Sequence, residues 1–359
     1  MRLSLTALTA ASLALSTWPV AAAPMQEGEP ATPTPVVVAV LDTGITAHTD
    51  LGWSLRKDGR GRPGGVVLPG YDFVSDSWSA ADGDGWDPDP SDRGDGIKPS
   101  EIVEHPDCHP RVSSWHGTNV AGTVAARGAT NRPSMGIAPD SRILPVRIMG
   151  RCGGNTADVA AGILWAVGEP IPNVPLNPNP ARIVNVSLSG VSALCPRPLQ
   201  TAIDIANERG ALVVAAAGSS AQNTVGATPA NCEGVIVVTS TDRFGRRSPT
   251  SNYGAEVTVA ALGGDMTTGE RDGIYSTTNS GSYRPRRQDH GFYQGSSAAA
   301  ARVSGALALL GTKNPAATST ELRAQLLSNL DPFAPGQCDT GDGTCGQGIL
   351  NLPRLITNP

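Results

Sequence analysis

The sequence predicts an α/β fold, with a doubly wound, mostly parallel sheet flanked by helices in a single domain. Short uninterrupted apolar runs alternate with helical patterns along the chain, which is typical of repeated βαβ units. Gly 42 and Pro 30 make up about a fifth of the 359 residues, against an average usage of about 12%. So many helix breakers exclude a helical bundle. A charged fraction of only 16% excludes disorder of the highly charged kind.

The elements can be predicted in chain order. Buried parallel strands are expected where β-branched apolar runs occur, at residues 36–41, 183–188, 211–217 and 235–238. A helix is expected from Asn155 or Thr156, as its cap, through Val167. Two further helices are expected at residues 198–208 and 319–330. Because reacting groups in such sheets lie at the carboxyl ends of strands, a site is expected there.

The first 23 residues resemble a secretory signal peptide, with Arg2, an apolar stretch at 5–15 and small residues at 21–23. The apolar stretch is shorter than the about 20 residues that a membrane span needs, so a retained anchor is the weaker alternative. Residues 24–35 form a short Pro-rich leader, and 36–359 form the predicted domain. We therefore expect a secreted protein with no membrane span.

The six cysteines are disulfide candidates in a secreted chain. They are Cys108, Cys152, Cys195, Cys232, Cys338 and Cys345. No Cys-x-x-Cys spacing indicates a metal site. Six cysteines allow 15 pairings, among which pairing of neighbours along the chain is our hypothesis.

The formal charge of −5 argues against a nucleic-acid partner, for which a basic stripe is expected. An Asp-, Gly- and Pro-rich segment at 82–96 fails the EF-hand pattern, because Trp86 occupies the third ligand position. We interpret it as a solvated surface loop. A structural calcium site of another design is the alternative, and the identity of any metal ligand is unknown.

Three short segments carry candidate chemistry. Asp42 ends a buried strand before a Gly turn, His116 opens an Ala-rich helical stretch, and Ser297 follows a Gly turn at the start of a long apolar helix. Taken singly, such residues are more often turn formers or helix caps. Together, a hydroxyl, an imidazole and a carboxylate are the groups that acyl transfer requires.

In the order Asp, His, Ser, the chain resembles the subtilisin-like serine peptidases, specifically the secreted bacterial kind with several disulfides. The similarity extends from about Val36 to about Leu352. Besides the three segments, it is carried by Gly-Ile-Ala-Pro at 136–139, Leu-Pro-Val-Arg at 144–147, Asn-Val-Ser-Leu at 185–188, Pro-Ala-Asn-Cys at 229–232 and Ser-Asn-Tyr-Gly at 251–254.

The resemblance implies a serine endopeptidase acting on polypeptides as a monomer, with no cofactor required for the chemistry. Asp42, His116 and Ser297 would form the triad, and Ser219 with the amide of Ser297 would hold the oxyanion. The resemblance also implies a substrate cleft edged by Ser187, Leu188, Ser189, Ala216, Ala217 and Gly218. The neighbour pairing of cysteines is similar to that of these bacterial relatives.

The sequence departs from the family pattern at several of these positions. Ser219 replaces the usual oxyanion Asn, and removal of one such donor in subtilisin itself costs about 10²–10³ in turnover. Ala301 replaces a Pro in the nucleophile helix, Asn119 replaces a second His, and Ser189 replaces a Gly, which should narrow the cleft. Members of the family usually carry a folded pro-domain before the first strand, whereas we expect the short leader at 24–35 to form none.

These departures leave an alternative from another class: a catalytically silent scaffold that binds peptides or a partner protein. A lipase or esterase is disfavoured because no Gly-x-Ser-x-Gly motif surrounds Ser297 and the order of the three residues differs.

Overall fold

The computed structural model describes residues 34–55, 61–62, 64–129, 135–338 and 344–357. The predicted signal peptide at 1–23 and residues 24–33 of the leader lie outside this range. None of the described helices is long and apolar enough to cross a membrane.

The described strands are β1 Val37–Asp42, β2 Ser54–Leu55, β3 Gly61–Arg62, β4 Tyr71–Asp72, β5 Arg142–Arg147, β6 Ile183–Val186, β7 Gly190–Val191, β8 Leu212–Ala216, β9 Ala227–Thr228, β10 Ile236–Thr241, β11 Val259–Leu262, β12 Ile274–Asn279, β13 Gln288–Tyr293, β14 Leu330–Asp331 and β15 Ile349–Leu350. The described helices are α1 Ser77–Ala80, α2 His116–Ala125, α3 Thr156–Ala166, α4 Arg197–Glu208, α5 Ser296–Lys313, α6 Ser319–Ser328 and α7 Leu352–Thr357. The strands and helices predicted from sequence agree with these bounds to within a few residues.

Nine strands form the central sheet in the order β14-β15-β11-β10-β8-β6-β1-β5-β4. Every neighbouring pair is parallel except β14 with β15. The fold class predicted from sequence is therefore confirmed. β12 and β13 form a separate antiparallel hairpin.

Both faces of the sheet are buried, which explains the uninterrupted apolar runs. On β1, Val38 and Val40 face the core that contains α2 and α5, whereas Ala39 and Leu41 face the core that contains α3 and α4. This alternation follows from the two-residue period of a strand. Helices on both faces leave the carboxyl edge of the sheet open for a site.

Three disulfides join the cysteines as neighbours along the chain, as we expected. They are Cys108–Cys152, Cys195–Cys232 and Cys338–Cys345.

Candidate active site

Asp42 and His116 form a close pair at the carboxyl edge of the sheet. Nδ1 of His116 lies 2.8 Å and 2.9 Å from the two carboxylate oxygens of Asp42. Because a carboxylate only accepts hydrogen bonds, Nδ1 carries the proton and Nε2 is left with a lone pair. Asp42 is buried at 1% exposure, whereas the His116 side chain is 25% exposed. The imidazole can therefore be reached from solvent while its partner cannot.

A glycine allows this pair to form. Gly117 follows His116 in α2, and a Cβ added there would lie 2.2 Å from the carbonyl oxygen of Gly44 and 3.1 Å from Cβ of Asp42. Any side chain at this position would push the first turn of α2 away from the end of β1. The Gly after His in the sequence is thus needed for contact between the helix and the strand.

The charges around His116 favour its protonated form. Burial disfavours the imidazolium, but the charge and hydrogen bond of Asp42, followed by the charges of Asp95 and Asp92, outweigh it and raise the pKa of His116 above its ordinary value. An imidazole with a raised pKa is a stronger base when it is neutral.

Ser297 is the second residue of α5, close to the amides of the helix N-terminus. Its hydroxyl donates to the backbone carbonyl of Ser187, 2.9 Å away. It makes no hydrogen bond to Nε2 of His116, although both residues line the same cavity. A different staggered rotamer of Ser297 would redirect its hydroxyl.

The cavity has a volume of about 320 Å³ and lies where β6 and β8 end. Its lining includes most of the residues that sequence reasoning assigned to the site, namely His116, Ser187, Leu188, Ser189, Ala216, Gly218, Ser219 and Ser297. Ala217 is not part of the lining, because its side chain lies in the core beside α3 and α4. Met149, Gln222 and Asn223 also line the cavity, and no sequence pattern indicated them.

Ser219 belongs to a small network of hydroxyls and amides. Its Oγ lies 3.2 Å from Oγ of Ser296 and accepts from the Ser296 amide at 3.4 Å. The Ser296 hydroxyl in turn accepts from the amide of Gly218 at 3.1 Å. The Ser219 hydroxyl therefore lies beside the first residue of α5, next to Ser297.

Asn252 fixes the turn that carries Ser219. Its side-chain oxygen accepts from the amides of Ser220 and Gln222, both at 3.0 Å, and its Nδ2 donates to the carbonyl of Ala217 at 2.9 Å. The resemblance drew attention to the segment at 251–254 but gave no role to this side chain. The feature that marks Asn252 is its burial, at 3% exposure, and this burial is visible only in the folded structure.

The interpretation of residues 82–96 as a solvated surface loop is wrong for its second half. Asp89, Asp92 and Asp95 are 6%, 2% and 3% exposed. Their carboxylate oxygens accept from serine and threonine hydroxyls, backbone amides and an arginine. Oxygens already bound to protein donors do not make the open oxygen cage that calcium requires. A calcium site built on these three carboxylates is therefore not supported.

One His/Asp cluster lies apart from this cavity in the described part of the chain. It comprises His48, Asp50 and His290. His48 accepts from the Asp50 amide at 3.1 Å and lies 3.0 Å from the carbonyl of Asp289, while His290 lies 2.8 Å from the Asp50 carboxylate. Both nitrogens of His48 are thus occupied, so the cluster does not fit a metal centre. It joins the hairpin of β12 and β13 to the turn after β1.

The chain is thus an α/β protein in which an aspartate–histidine pair lies at the carboxyl edge of a mostly parallel sheet, beside a cavity that both His116 and Ser297 line. The chain belongs to the Peptidase S8 (subtilase) family, whose model matches residues 34–348.

Relatives and solved structures agree with this assignment. The chain is 39% identical over 331 residues to an extracellular protease of Xanthomonas campestris, covering 91% of this chain and 52% of the relative. It is 38% identical over 327 residues to an extracellular basic protease of Dichelobacter nodosus, covering 89% of this chain and 50% of the relative. The chain thus spans about half the length of these two relatives. A protease structure from Pseudoalteromonas arctica matches with a TM-score of 0.80 and 40% identity, covering 91% of this chain and 90% of that one.

Proposed function

We propose that this chain is a secreted serine endopeptidase that hydrolyses polypeptides. The observation that carries the proposal is the bidentate contact of Asp42 with Nδ1 of His116, beside a cavity that Ser297 also lines. The names of two relatives, both extracellular proteases, support the activity and the location. Secretion would depend on the signal at residues 1–23.

Ser297 is the proposed nucleophile and His116 the proposed base. When substrate binds, the Ser297 hydroxyl would rotate away from the Ser187 carbonyl and toward Nε2 of His116. Catalytic hydrogen bonds often tighten only in such a complex. Nε2 then takes the hydroxyl proton as Oγ attacks the peptide carbonyl. Asp42 stabilises the imidazolium, which gives the proton to the amine as the C–N bond breaks and leaves the acyl group on Ser297. A water molecule, deprotonated by His116, then attacks this ester, and the proton returns to the Ser297 oxygen as the acid is released.

The oxyanion would be held by the amide of Ser297, which has no acceptor within the helix, and by the hydroxyl of Ser219. If the Ser296 hydroxyl donates to Ser219, the proton of Ser219 is free to point into the cavity. A hydroxyl is shorter than the carboxamide usual in this family, so we expect weaker stabilisation of the oxyanion and reduced turnover.

The cavity suggests which side chain precedes the scissile bond. Apart from His116, the described residues that line it carry no ionisable side chain. An unpaired charge on the substrate would lose hydration there without gaining a partner. We therefore propose a preference for uncharged side chains at this position.

A fluorophosphonate probe and a casein assay test the proposal. The wild-type protein should hydrolyse casein and be labelled at Ser297, as located by peptide mapping, whereas Ser297→Ala should show neither. Ser328→Ala, an exposed serine at the end of α6, serves as the matched control and should keep both. Peptide binding without cleavage or labelling in the folded wild-type protein would favour the silent scaffold instead.

A further inference from the structure

The segment Asp89 to Gly96 packs directly against the turn that follows Asp42. The amide of Ile45 donates to the carbonyl of Pro90, and the amide of Asp92 donates to the carbonyl of Ile45, both at 3.0 Å. The proposed catalytic scheme gives this acidic segment no role. Two of its buried carboxylates are nevertheless connected to the Asp42–His116 pair by hydrogen bonds. Each connection passes through one intervening residue.

The first route passes through Thr43. The Thr43 hydroxyl donates to Oδ2 of Asp92 at 2.7 Å and accepts from the amide of Gly117 at 3.0 Å. The amide of Thr43 donates to Oδ1 of Asp42 at 2.8 Å. Thr43 therefore holds the Asp42 carboxylate with its backbone and the residue after His116 with its side chain. Asp92 fixes the direction in which that hydroxyl points.

The second route passes through Ser114. Oδ1 of Asp95 accepts from the Ser114 amide at 2.6 Å, and Oδ2 accepts from the Ser114 hydroxyl at 2.9 Å. The Ser114 hydroxyl accepts from the amide of His116 at 3.3 Å. Asp95 thus holds Ser114, two residues before His116. Asp92, through Thr43, holds Gly117, the residue after His116.

We propose that Asp92 and Asp95, the carboxylate brace, position His116 for proton transfer, and that Asp92 is the positioning residue that acts through Thr43. This inference rests on the proposed function. A carboxylate is suited to the role because charge-assisted hydrogen bonds are shorter and stronger than neutral ones. Because the two carboxylates of the brace act on opposite sides of His116, they restrict both the position and the tilt of the helix turn that carries it.

The ionisation of the brace links its strength to pH. Burial, followed by the charge of Asp95, raises the pKa of Asp92 to about 7, against the opposing charge of Arg147 and the hydrogen bonds of Thr43 and Gly94. The titratable or charged groups facing Asp92 are Asp95 on its own segment, Arg147 on β5, His116 on α2 and Tyr293 on β13. Asp92 is thus mostly anionic, and its acceptor bond strongest, above about pH 7.

Asp92→Asn tests the brace, with Asp89→Asn as the matched control. Asp89 lies on the same segment and is similarly buried, but its carboxylate bonds to Ser91 and Arg93 rather than to residues beside His116. Asp92→Asn should lower kcat by about 10–100-fold with little change in KM, the scale expected when a reacting group is displaced by about 1 Å. Asp89→Asn should leave kcat of the folded protein within a factor of two or three of the wild type, even if the variant is less stable.

A second readout does not depend on activity. The chain has five histidines, so His116 can be followed by NMR titration of the labelled protein. Because the charge of Asp92 raises the pKa of His116, Asp92→Asn should move the titration of His116 to lower pH, whereas Asp89→Asn should not. Unchanged titration and equal kcat in the two variants would overturn the brace.

The outcomes separate this inference from the proposed function. A folded wild-type protein that neither cleaves nor labels would end the proposed function, while the NMR titration would still decide whether Asp92 acts on His116. If Asp92→Asn does not fold, Thr43→Val and Thr43→Ser replace it, since only the second keeps the hydroxyl. The brace predicts that Thr43→Val loses kcat and that Thr43→Ser retains most of it; equal effects would contradict it.

Discussion

Single side chains decide how well this site can work, and Ser219 is the clearest case. It lies where the family usually has an asparagine, on the cavity wall beside the first residue of α5. Its hydroxyl is within reach of Ser296, but the donor atom lies one bond closer to Cβ than the Nδ2 of an asparagine would. The position is exposed, so a longer side chain has space to enter the cavity.

Ser219→Asn should raise kcat, because a carboxamide donor can reach the oxyanion directly. The gain should be at least tenfold, below the 10²–10³ that subtilisin loses when its own asparagine is removed. Steady-state kinetics on a peptide substrate measures it. Ser220→Asn, on the next cavity-lining residue, is the control and should give no gain; a similar gain from both would show that the amide acts on substrate binding rather than on the oxyanion.

The pH profile depends on His116. Its raised pKa means that the imidazole stays protonated, and unable to accept the serine proton, up to a pH above its ordinary 6.5. The value of kcat/KM should therefore fall as the pH decreases through a midpoint above 6.5. The rate of fluorophosphonate labelling should follow the same curve. A midpoint at or below 6.5 would contradict the charge environment of Asp42, Asp92 and Asp95.

At the scale of elements, the helix that carries Ser297, α5, is tied to the sheet by a chain of buried polar groups. The Ser304 hydroxyl donates to Oδ1 of Asn185 at 2.9 Å, and Nδ2 of Asn185 donates to the Ser187 hydroxyl at 2.8 Å. That hydroxyl donates to the carbonyl of Ser297 at 3.0 Å. These hydrogen bonds connect the end of β6 to two positions of α5 that are about two turns apart, so the rotation of the helix about its axis is fixed near Ser297.

Ser304→Ala should destabilise the protein by about 1–3 kcal/mol, because it leaves a fully buried asparagine oxygen without its donor. Ser328→Ala removes a hydroxyl from an exposed position of α6 and should change stability by no more than about 0.5 kcal/mol. Urea unfolding of both variants measures the difference. Equal effects would mean that Asn185 finds another donor, such as a buried water.

The sequence was sufficient to predict elements whose pattern is local. The apolar runs located four central strands, and the cap at Asn155 located the start of α3. Asp42, His116 and Ser297 could be selected because each stands at the end of a strand or the start of a helix. Their approach to one another follows from parallel strands sharing a carboxyl edge, with His116 and Ser297 on one cavity and Asp42 buried behind His116.

What could not be predicted depends on partners distant in the chain. The burial of Asp92 is decided by Thr43, which is 49 residues away, and no local pattern distinguishes it from a solvated Asp in a Gly/Pro loop. The direction of the Ser297 hydroxyl is likewise set by Ser187, 110 residues away. Such contacts appear only when the whole sheet is assembled.

At the scale of the whole molecule, the disulfides close loops of very different length. Cys195 and Cys232 are separated by 37 residues, whereas Cys338 and Cys345 are separated by 7. A disulfide stabilises chiefly by restricting the unfolded chain, and the restriction grows with the logarithm of the loop length. In that model the longer loop contributes about 4 kcal/mol and the shorter one about 2.5 kcal/mol.

Replacing Cys195 and Cys232 together by Ala should therefore lower the free energy of unfolding by roughly 1–2 kcal/mol more than replacing Cys338 and Cys345 together. Urea unfolding of both double variants in the oxidised protein measures the difference. If the two losses are equal, or if their order is reversed, native contacts around the bridges rather than loop closure account for their contribution to stability.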